Sequence, residues 1–134
     1  MKLVLDSNVL IAALIARGVC ADLLEHCVLR HNIICSDFIL EEVRKKLVTK
    51  FRYSDEEADE AVLLFRSQCE FVQPVALATR VCRDVDDDQI LATAIAGQAQ
   101  CIVSGDNDLL VLKQHAGIDI VRPSDFAAYE LIGG

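Results

Sequence analysis

The chain has 134 residues, of which 53% are hydrophobic and 25% charged, a composition typical of globular rather than disordered proteins. Its net charge of −8 excludes a generally basic nucleic-acid-binding surface, because Lys and Arg contacts to phosphate supply most of the affinity of such proteins. The longest apolar run, residues 9–16, is far shorter than the roughly 18 residues of a membrane span. We therefore expect one cytoplasmic domain over residues 1–134, with no signal peptide or membrane segment.

The six cysteines include no CxxC pair, which disfavours a zinc ribbon or a thioredoxin-type motif. Their even number would also allow three disulfides. The missing secretion signal and the high apolar content favour reduced, mostly buried thiols instead.

Strand and helix patterns alternate along the chain. Apolar runs predict strands at residues 3–5, 33–35, 101–103 and 118–121, and an edge strand at 71–72 before Pro74. Four helices are predicted by range, at residues 9–16, 21–30, 86–96 (ended by Gly97) and 106–112. Three more are predicted from the residues that would cap their N-termini: Ser36 or Asp37, Ser54 with a capping box, and Ser124. The alternation predicts an α/β fold, a three-layer α/β/α sandwich around a mostly parallel central sheet.

Two predicted strands run directly into acidic residues. Asp6 follows the first strand, and Asp106 and Asp108 follow the strand at residues 101–103 across Gly105, where we expect glycine to permit a turn that other residues resist. Side chains within parallel strands are buried on both faces, so chemistry belongs at the carboxyl edge of the sheet. Carboxylates that meet there predict a pocket for a hard divalent cation, although Asp6 would serve equally well as a helix N-cap.

A further acid, Glu42, lies in the helix that follows Ser36. It borders the apolar face formed by Ile39 and Val43, whereas we expect Glu41 to point further towards solvent. Both glutamates also have a lysine one turn later, with which they can form helical ion pairs. Position alone therefore leaves open whether Glu42 is a metal ligand or a surface ion-pair partner.

Four acids fall within residues 84–88. The helix N-terminus there stabilises one or two of them, but four carboxylates so close together repel one another unless a cation lies near. Asp87 precedes core-facing Leu91 by four residues, so we expect its side chain to lean towards the buried side, and Asp86 and Asp88 to lean away. The run therefore predicts a cation site, with surplus helix-capping charge as the alternative.

Other polar residues carry weaker signals. Residues 44–52 include five basic side chains, which indicate either contacts to a nucleic-acid backbone or a solvated helix face: Arg44, Lys45, Lys46, Lys50 and Arg52. His26, His31 and His115 lack the HxxxH type of metal-ligand spacing, so we expect solvated or hydrogen-bonded roles for them.

Taken together, the acidic segments have the order and spacing of a known family. The chain resembles a PIN domain, in particular the compact prokaryotic members found as toxins of toxin–antitoxin pairs (VapC-like), through residues 3–8, 42–43, 84–91 and 103–110. It departs from the family pattern at Val85, where proline is frequent. The resemblance implies the same three-layer fold over essentially the whole chain.

The resemblance also implies a Mg²⁺- or Mn²⁺-dependent endoribonuclease that hydrolyses RNA, with a cognate antitoxin as partner and a homodimer as the assembly. The catalytic and metal-binding acids of the family fall on Asp6, Glu42, Asp87 and Asp106, with Asp108 as an additional metal ligand. Asp86 or Asp88 stays an alternative to Asp87, and Glu41 an alternative to Glu42. The alternative function is a catalytically inactive PIN-like module for binding and dimerisation, in which the acids are helix caps.

Overall fold

A six-stranded sheet forms the centre of the structure, a computed structural model that describes residues 1–133. Its strands are β1 (Lys2–Leu5), β2 (Asn32–Cys35), β3 (Cys69–Phe71), β4 (Cys101–Val103), β5 (Gln114–His115) and β6 (Ile118–Val121). Their order in the sheet is β3-β2-β1-β4-β6-β5, and of these strands only β5 is antiparallel to its neighbour. Strands β2 and β3 therefore lie on one side of β1, and β4, β6 and β5 lie on the other side.

Helices connect the strands and cover the sheet. They are α1 (Ser7–Ile15), α2 (Val19–Arg30), α3 (Asp37–Phe51), α4 (Asp55–Gln68), α5 (Val85–Ala96), α6 (Asn107–Leu110) and α7 (Phe126–Gly133), the last preceded by a 3₁₀ turn at Pro123–Asp125. Helices α1 to α4 pack on one another, and α5 packs on β1, β2 and β4. The predicted three-layer α/β/α sandwich with a mostly parallel sheet is confirmed.

Within residues 1–133, no single helix is both long enough and apolar enough to cross a membrane. Helices α1 and α2 meet these two criteria only when counted together, and they are bent by 107° at the break between them.

The two central strands are buried on both faces. Leu3 and Val4 of β1 and Ile102 and Val103 of β4 have no exposed surface. Parallel strands covered by helices on both sides require such continuous apolar runs. Polar groups can therefore reach solvent or a ligand only beyond the ends of these strands.

Several element bounds differ from the predicted ones. Helix α1 begins at Ser7 rather than at residue 9, because Asp6 caps it earlier. The predicted edge strand at residues 71–72 lies instead at Cys69–Phe71, and it does form an edge of the sheet. Strand β5 was not predicted, because its two residues are too few to show an alternating pattern. It follows Lys113, whose backbone has a positive φ.

Serine caps were predicted for three helices. The Ser54 capping box is confirmed, because Oγ of Ser54 accepts from the Glu57 amide (3.1 Å) and the Glu57 carboxylate accepts from the Ser54 amide (3.0 Å). Ser36 occupies the N-cap position of α3, but its buried hydroxyl bonds to Oγ1 of Thr93 (2.9 Å) instead of the helix. The Ser124 cap is wrong, because this residue lies inside the 3₁₀ turn that precedes α7.

The six cysteines are free thiols, and four of them are buried: Cys27, Cys35, Cys82 and Cys101. Burial raises the pKa of Cys27, Cys82 and Cys101 to about 12. Because the thiolate is the reactive form of cysteine, these three side chains are poor nucleophiles at neutral pH.

Gly97 ends α5, as predicted, and its amide donates to the carbonyl of Thr93 (3.0 Å). A Cβ atom at this position would overlap Cγ2 of Ile34 on β2 and lie 3.2 Å from its Cγ1. Ile34 is fully buried and β-branched, so it has little freedom to turn aside. The glycine therefore permits a close approach between α5 and the sheet.

We expect Gly97→Ala to lower the free energy of unfolding by about 1–3 kcal/mol, because the added methyl overpacks this contact. Urea denaturation followed by circular dichroism measures the change. Gly105→Ala is the matched control, since nothing lies within 4 Å of a Cβ built there, and it should change stability by less than about 0.5 kcal/mol. Equal stability of Gly97→Ala and the wild type would contradict the close approach.

Candidate metal centre

The pairing of β1 with β4 brings the first two acidic segments together. Leu5 is in register with Val103, and the amide of Asp6 donates to the carbonyl of Val103 (3.0 Å). Asp6 and Ser104, the next residues of the two strands, therefore lie side by side at the carboxyl edge. This is also the point where the strand order reverses, which is where ligand crevices form in open α/β sheets.

Asp6 both caps α1 and faces the second strand end. Its Oδ1 accepts from the Ser7 amide (2.7 Å), and its Oδ2 accepts from the hydroxyl of Ser104 (2.7 Å). The side chain is buried, and burial raises its pKa despite the opposing effect of these hydrogen bonds. This one carboxylate therefore caps α1 and also reaches the other strand end, and its role as a metal ligand stays a prediction.

Asp106 and Asp108 follow the second strand end. The amide of Asp106 donates to Oγ of Ser104 (3.0 Å), and Oδ1 of Asp106 accepts from the Asp108 amide (2.9 Å) as the N-cap of α6. Asp108 is partly exposed and has the guanidinium of Arg83 at 3.4 Å. The expected need for glycine in this turn is wrong, because Gly105 does not adopt a positive φ.

Asp87 enters the same cluster from the first turn of α5. It is buried, as predicted, and its Oδ2 has no hydrogen-bond partner among residues 1–133. Carboxylate oxygens of Asp87, Asp106 and Asp108 lie within 4.8 Å of one another. Burial raises the pKa of Asp87 to about 7, with further contributions from Asp106 and Asp6.

The acids beside Asp87 have different surroundings. Asp86 is exposed, as expected, but the expectation that Asp88 leans away from the core is wrong, because its side chain is 7% exposed. Asp88 accepts from the amides of Cys82 (2.7 Å) and Val81 (3.1 Å). Burial would raise the pKa of Asp88, but these amide hydrogen bonds outweigh it and leave the pKa lowered.

Glu42 of α3 adjoins the cluster through Ser7. The hydroxyl of Ser7 donates to Oε1 of Glu42 and lies 3.4 Å from Oδ1 of Asp6. Nζ of Lys46, one turn later on α3, is 3.5 Å from the same glutamate oxygen. Glu41 is exposed, so Glu42 is the glutamate that the fold brings to the strand ends. Its predicted ion pair with the following turn is also present.

A PIN domain family model matches residues 2–108. The chain belongs to the PIN domain family. Among solved structures it is similar to VapBC2 from Rickettsia felis bound to a DNA fragment from its promoter, with 16% identity, a TM-score of 0.65, and coverage of 91% of this chain and 98% of that one. It is also similar to VapBC-1 from nontypeable Haemophilus influenzae, with 13% identity, a TM-score of 0.63, and coverage of 92% and 99%.

FitAcB from Neisseria gonorrhoeae matches this PIN domain with 14% identity, a TM-score of 0.61, and coverage of 91% of this chain and 98% of that one. At these identities the structural likeness shows a shared fold. No curated protein matches the sequence significantly.

The donor set of this PIN domain fits a hard divalent cation. The clustered side chains offer carboxylate oxygens, which Mg²⁺ and Mn²⁺ prefer, and no imidazole or thiolate belongs to the group formed by Asp87, Asp106 and Asp108. The unpartnered Oδ2 of Asp87 is the strongest sign, since a buried polar atom without a partner is costly. A cation in this position would satisfy that oxygen and offset the burial and the repulsion by Asp106 that together raise the pKa of Asp87.

The sequence did not predict the hydrogen bonds through which two serine hydroxyls organise the PIN-domain cluster. Ser104 bridges Asp6 and the Asp106 amide, and Ser7 bridges Asp6 and Glu42. The available signal was position: each serine stands next to a predicted strand end, where polar side chains have to face one another. Their role is visible only once the parallel register of β1 and β4 is known.

We expect Asp87→Asn to stabilise the metal-free PIN domain at about pH 8. Burial and Asp106 raise the pKa of Asp87 to about 7 in the folded chain, against an ordinary value of 3.8. Between these values the folded state holds the extra proton, so the stability of the wild type falls as the pH rises. Asparagine removes that penalty, and roughly 1 kcal/mol corresponds to about 3–5 °C in Tm.

Thermal unfolding in EDTA checks this prediction. The Tm difference between Asp87→Asn and the wild type should shrink towards about pH 5, where folded Asp87 is protonated. Asp86→Asn, an exposed neighbour, is the control and should leave Tm nearly unchanged at both pH values. A lower Tm of Asp87→Asn at about pH 8 would contradict the buried-carboxylate account.

Proposed function

We propose that this PIN domain is a Mg²⁺- or Mn²⁺-dependent endoribonuclease and the toxin of a toxin–antitoxin pair. The observation that carries the proposal is the buried carboxylate of Asp87, whose Oδ2 has no hydrogen-bond partner in residues 1–133 and which faces Asp106 and Asp108. Such a cluster is unfavourable unless a cation compensates it. Family membership and the likeness to VapBC and FitAcB structures support the same function.

Five carboxylates are proposed as ligands or catalytic acids: Asp6, Glu42, Asp87, Asp106 and Asp108. When bound, Mg²⁺ or Mn²⁺ supplies electrostatic stabilisation of the scissile phosphate and a water that is nucleophilic near neutral pH. The protein's part is to hold the carboxylates in place before the substrate arrives. The pKa of about 7 that Asp87 has in the metal-free chain would fall when a cation binds, so Asp87 acts as an ionised ligand in this proposal.

Two serines act as positioning residues in this proposal. Ser104 donates to Oδ2 of Asp6, and Ser7 donates to Glu42. Both hydroxyls are fully buried, so water does not compete for these contacts. Each serine thereby fixes the orientation of one carboxylate, which favours tight coordination by a small cation with strict geometric demands.

The surface beside the cluster suits an RNA backbone despite the negative net charge. Nζ of Lys46 lies 3.5 Å from Glu42, so a positive charge borders the carboxylates. Arg44 is engaged by Asp59 (2.7 Å) on α4. Three further basic side chains of the same segment are exposed: Lys45, Lys50 and Arg52. We propose that Lys46 and these exposed residues contact RNA phosphates, and that phosphates at the cleft itself are held through the cation.

An apolar groove supports the proposed protein partners. Residues of α1, α2 and α4 line a cavity of about 370 Å³ that includes Leu14, Leu24 and Leu64. Leu29 and Leu63 nearby on these helices are 74% and 64% exposed. Exposed apolar surface of this kind marks protein interfaces. We propose that it binds an apolar segment of a cognate antitoxin, that the chain forms a homodimer, and that the complex is cytoplasmic, where free thiols persist.

The nuclease proposal is tested with Asp6→Asn and Asp106→Asn. Both changes keep the side-chain shape and remove a charge from the proposed ligand set, so we expect the rate of single-stranded RNA cleavage with Mg²⁺ or Mn²⁺ to fall by at least about 100-fold. Asp86→Asn is the matched control and should cleave at the wild-type rate. A gel assay of labelled RNA with and without EDTA measures the rates.

Unchanged cleavage in both variants would remove the assigned site. Calorimetric titration separates the alternative, a non-catalytic binding module, from the nuclease. Wild-type protein that binds neither Mg²⁺ nor Mn²⁺ at millimolar concentration, and does not cut RNA, would leave the acids as helix caps.

We expect Leu64→Glu to weaken association with the antitoxin, because a charge in the apolar groove has to be desolvated on binding. Co-expression with the protein encoded beside this chain, followed by light scattering, gives the composition of the complex. Glu56→Gln, an exposed residue at the start of the same helix, is the control. A complex of unchanged stability in Leu64→Glu would exclude this groove as the docking surface.

A further inference from the structure

A second group of metal-binding side chains lies outside the carboxylate cluster. His26 of α2, His31 between α2 and β2, and Glu130 of α7 converge on one another. Nε2 of His26 lies 2.8 Å and 3.0 Å from the two carboxylate oxygens of Glu130, and Nε2 of His31 is also hydrogen-bonded to this carboxylate. Two imidazoles therefore present the same ring nitrogen to one carboxylate, from three separate parts of the chain.

Packing holds the two rings in this arrangement. The His31 side chain is 9% exposed, and its ring packs edge-to-face on Phe126 (5.9 Å, 83°) and on His26 (5.6 Å, 73°). Nδ1 of His31 forms a hydrogen bond with the main-chain nitrogen of Met1 (3.0 Å). The Met1 nitrogen is a donor, so Nδ1 of His31 accepts and Nε2 carries the ring proton that faces Glu130. A metal at Nε2 would take the place of this proton, which is released on binding.

Glu130 is ready to act as an anionic ligand. An ordinary glutamate is ionised at neutral pH, so Glu130 supplies a carboxylate to the group. The side chain is 27% exposed, whereas that of His26 is 43% exposed, so an ion can enter from solvent. A cavity of about 390 Å³ adjoins the group and is lined by His26, Glu130, Phe126 and Asp22, which leaves space for a water or a further oxygen donor.

We propose that His26, His31 and Glu130 bind a divalent transition metal of the Zn²⁺ type. Two imidazole nitrogens and one carboxylate, with one open position, form a ligand set that zinc uses in proteins. The same set is unattractive to Mg²⁺, which requires oxygen donors. The chain would then hold two chemically different ions, a hard one at the strand ends and a borderline one between α2 and α7.

The consequence of this site is structural. The ligands tie α7 to α2 and to the start of β2, and α7 is the last helix of the chain. A metal that binds only the folded arrangement stabilises it in proportion to the logarithm of its free concentration. Binding of Zn²⁺ should therefore raise the melting temperature without any involvement of the carboxylate cluster.

Zn²⁺ calorimetry and Co²⁺ absorption spectroscopy on the full chain test the site. We expect His26→Ala and Glu130→Gln each to raise the Zn²⁺ dissociation constant about 100-fold or more, because even an outer partner of a ligand is typically worth roughly 10- to 100-fold. His115→Ala is the matched control, since this histidine lies on β5 outside the group, and it should bind Zn²⁺ like the wild type. Asp106→Asn should also leave Zn²⁺ binding intact.

The spectra distinguish the ligands. Visible bands of four-coordinate Co²⁺ without thiolate charge transfer, lost in His26→Ala, would support the assignment. Thiolate charge-transfer bands would overturn it in favour of a cysteine site. Equal Zn²⁺ affinity in the wild type and in Glu130→Gln would overturn it as well, and would leave the three side chains as a metal-free ion-pair cluster. RNA cleavage is not read in this experiment, so its outcome is independent of the nuclease proposal.

Discussion

The parallel register of β1 and β4 is the constraint on which the candidate centre depends. It places Asp6 beside Ser104, and Ser104 in turn positions the start of the segment that carries Asp106 and Asp108. Both strands are buried, so their first free positions for polar chemistry are the residues that follow them. Helix α5 then adds Asp87 to a group that already carries negative charge, and the unfavourable electrostatics of that addition point to a cation.

Helix capping and the carboxylate cluster use the same side chains in this fold. Asp6 caps α1 and Asp106 caps α6, and each still has an oxygen available to its neighbours. The two roles are compatible because a cap uses one carboxylate oxygen, while the other points away from the helix. An acid at the start of a helix is therefore a weak indicator of function alone, and a stronger one when a second strand end lies next to it.

The sequence predicts the location of an acid well where the end of a strand determines it. It predicts the burial of an acid poorly where a segment outside the acid's own helix covers the side chain. Asp6 and Asp106 could be placed from apolar runs alone. Asp88 could not, because helical periodicity reports only its own helix, whereas the segment before α5 covers it and supplies the Val81 and Cys82 amides. The sequence likewise does not predict the contact of His26 and His31 with Glu130. These residues are about 100 positions apart, so no local spacing indicates that they meet.

Asp87 and Asp88 are successive residues of α5 whose side chains face different neighbours. Asp87 faces the carboxylate cluster, and Asp88 faces the segment that leads into the helix, where it accepts from the Cys82 amide. Each residue along an α-helix advances the direction of the side chain by about 100°. Insertion of a single residue between Asp87 and Asp88 would therefore turn one of the two carboxylates away from its partners, whereas length changes at residues 73–78 would be absorbed by the irregular connection. We therefore expect the fold to tolerate a change of chain length before Val81 and not within the first turn of α5.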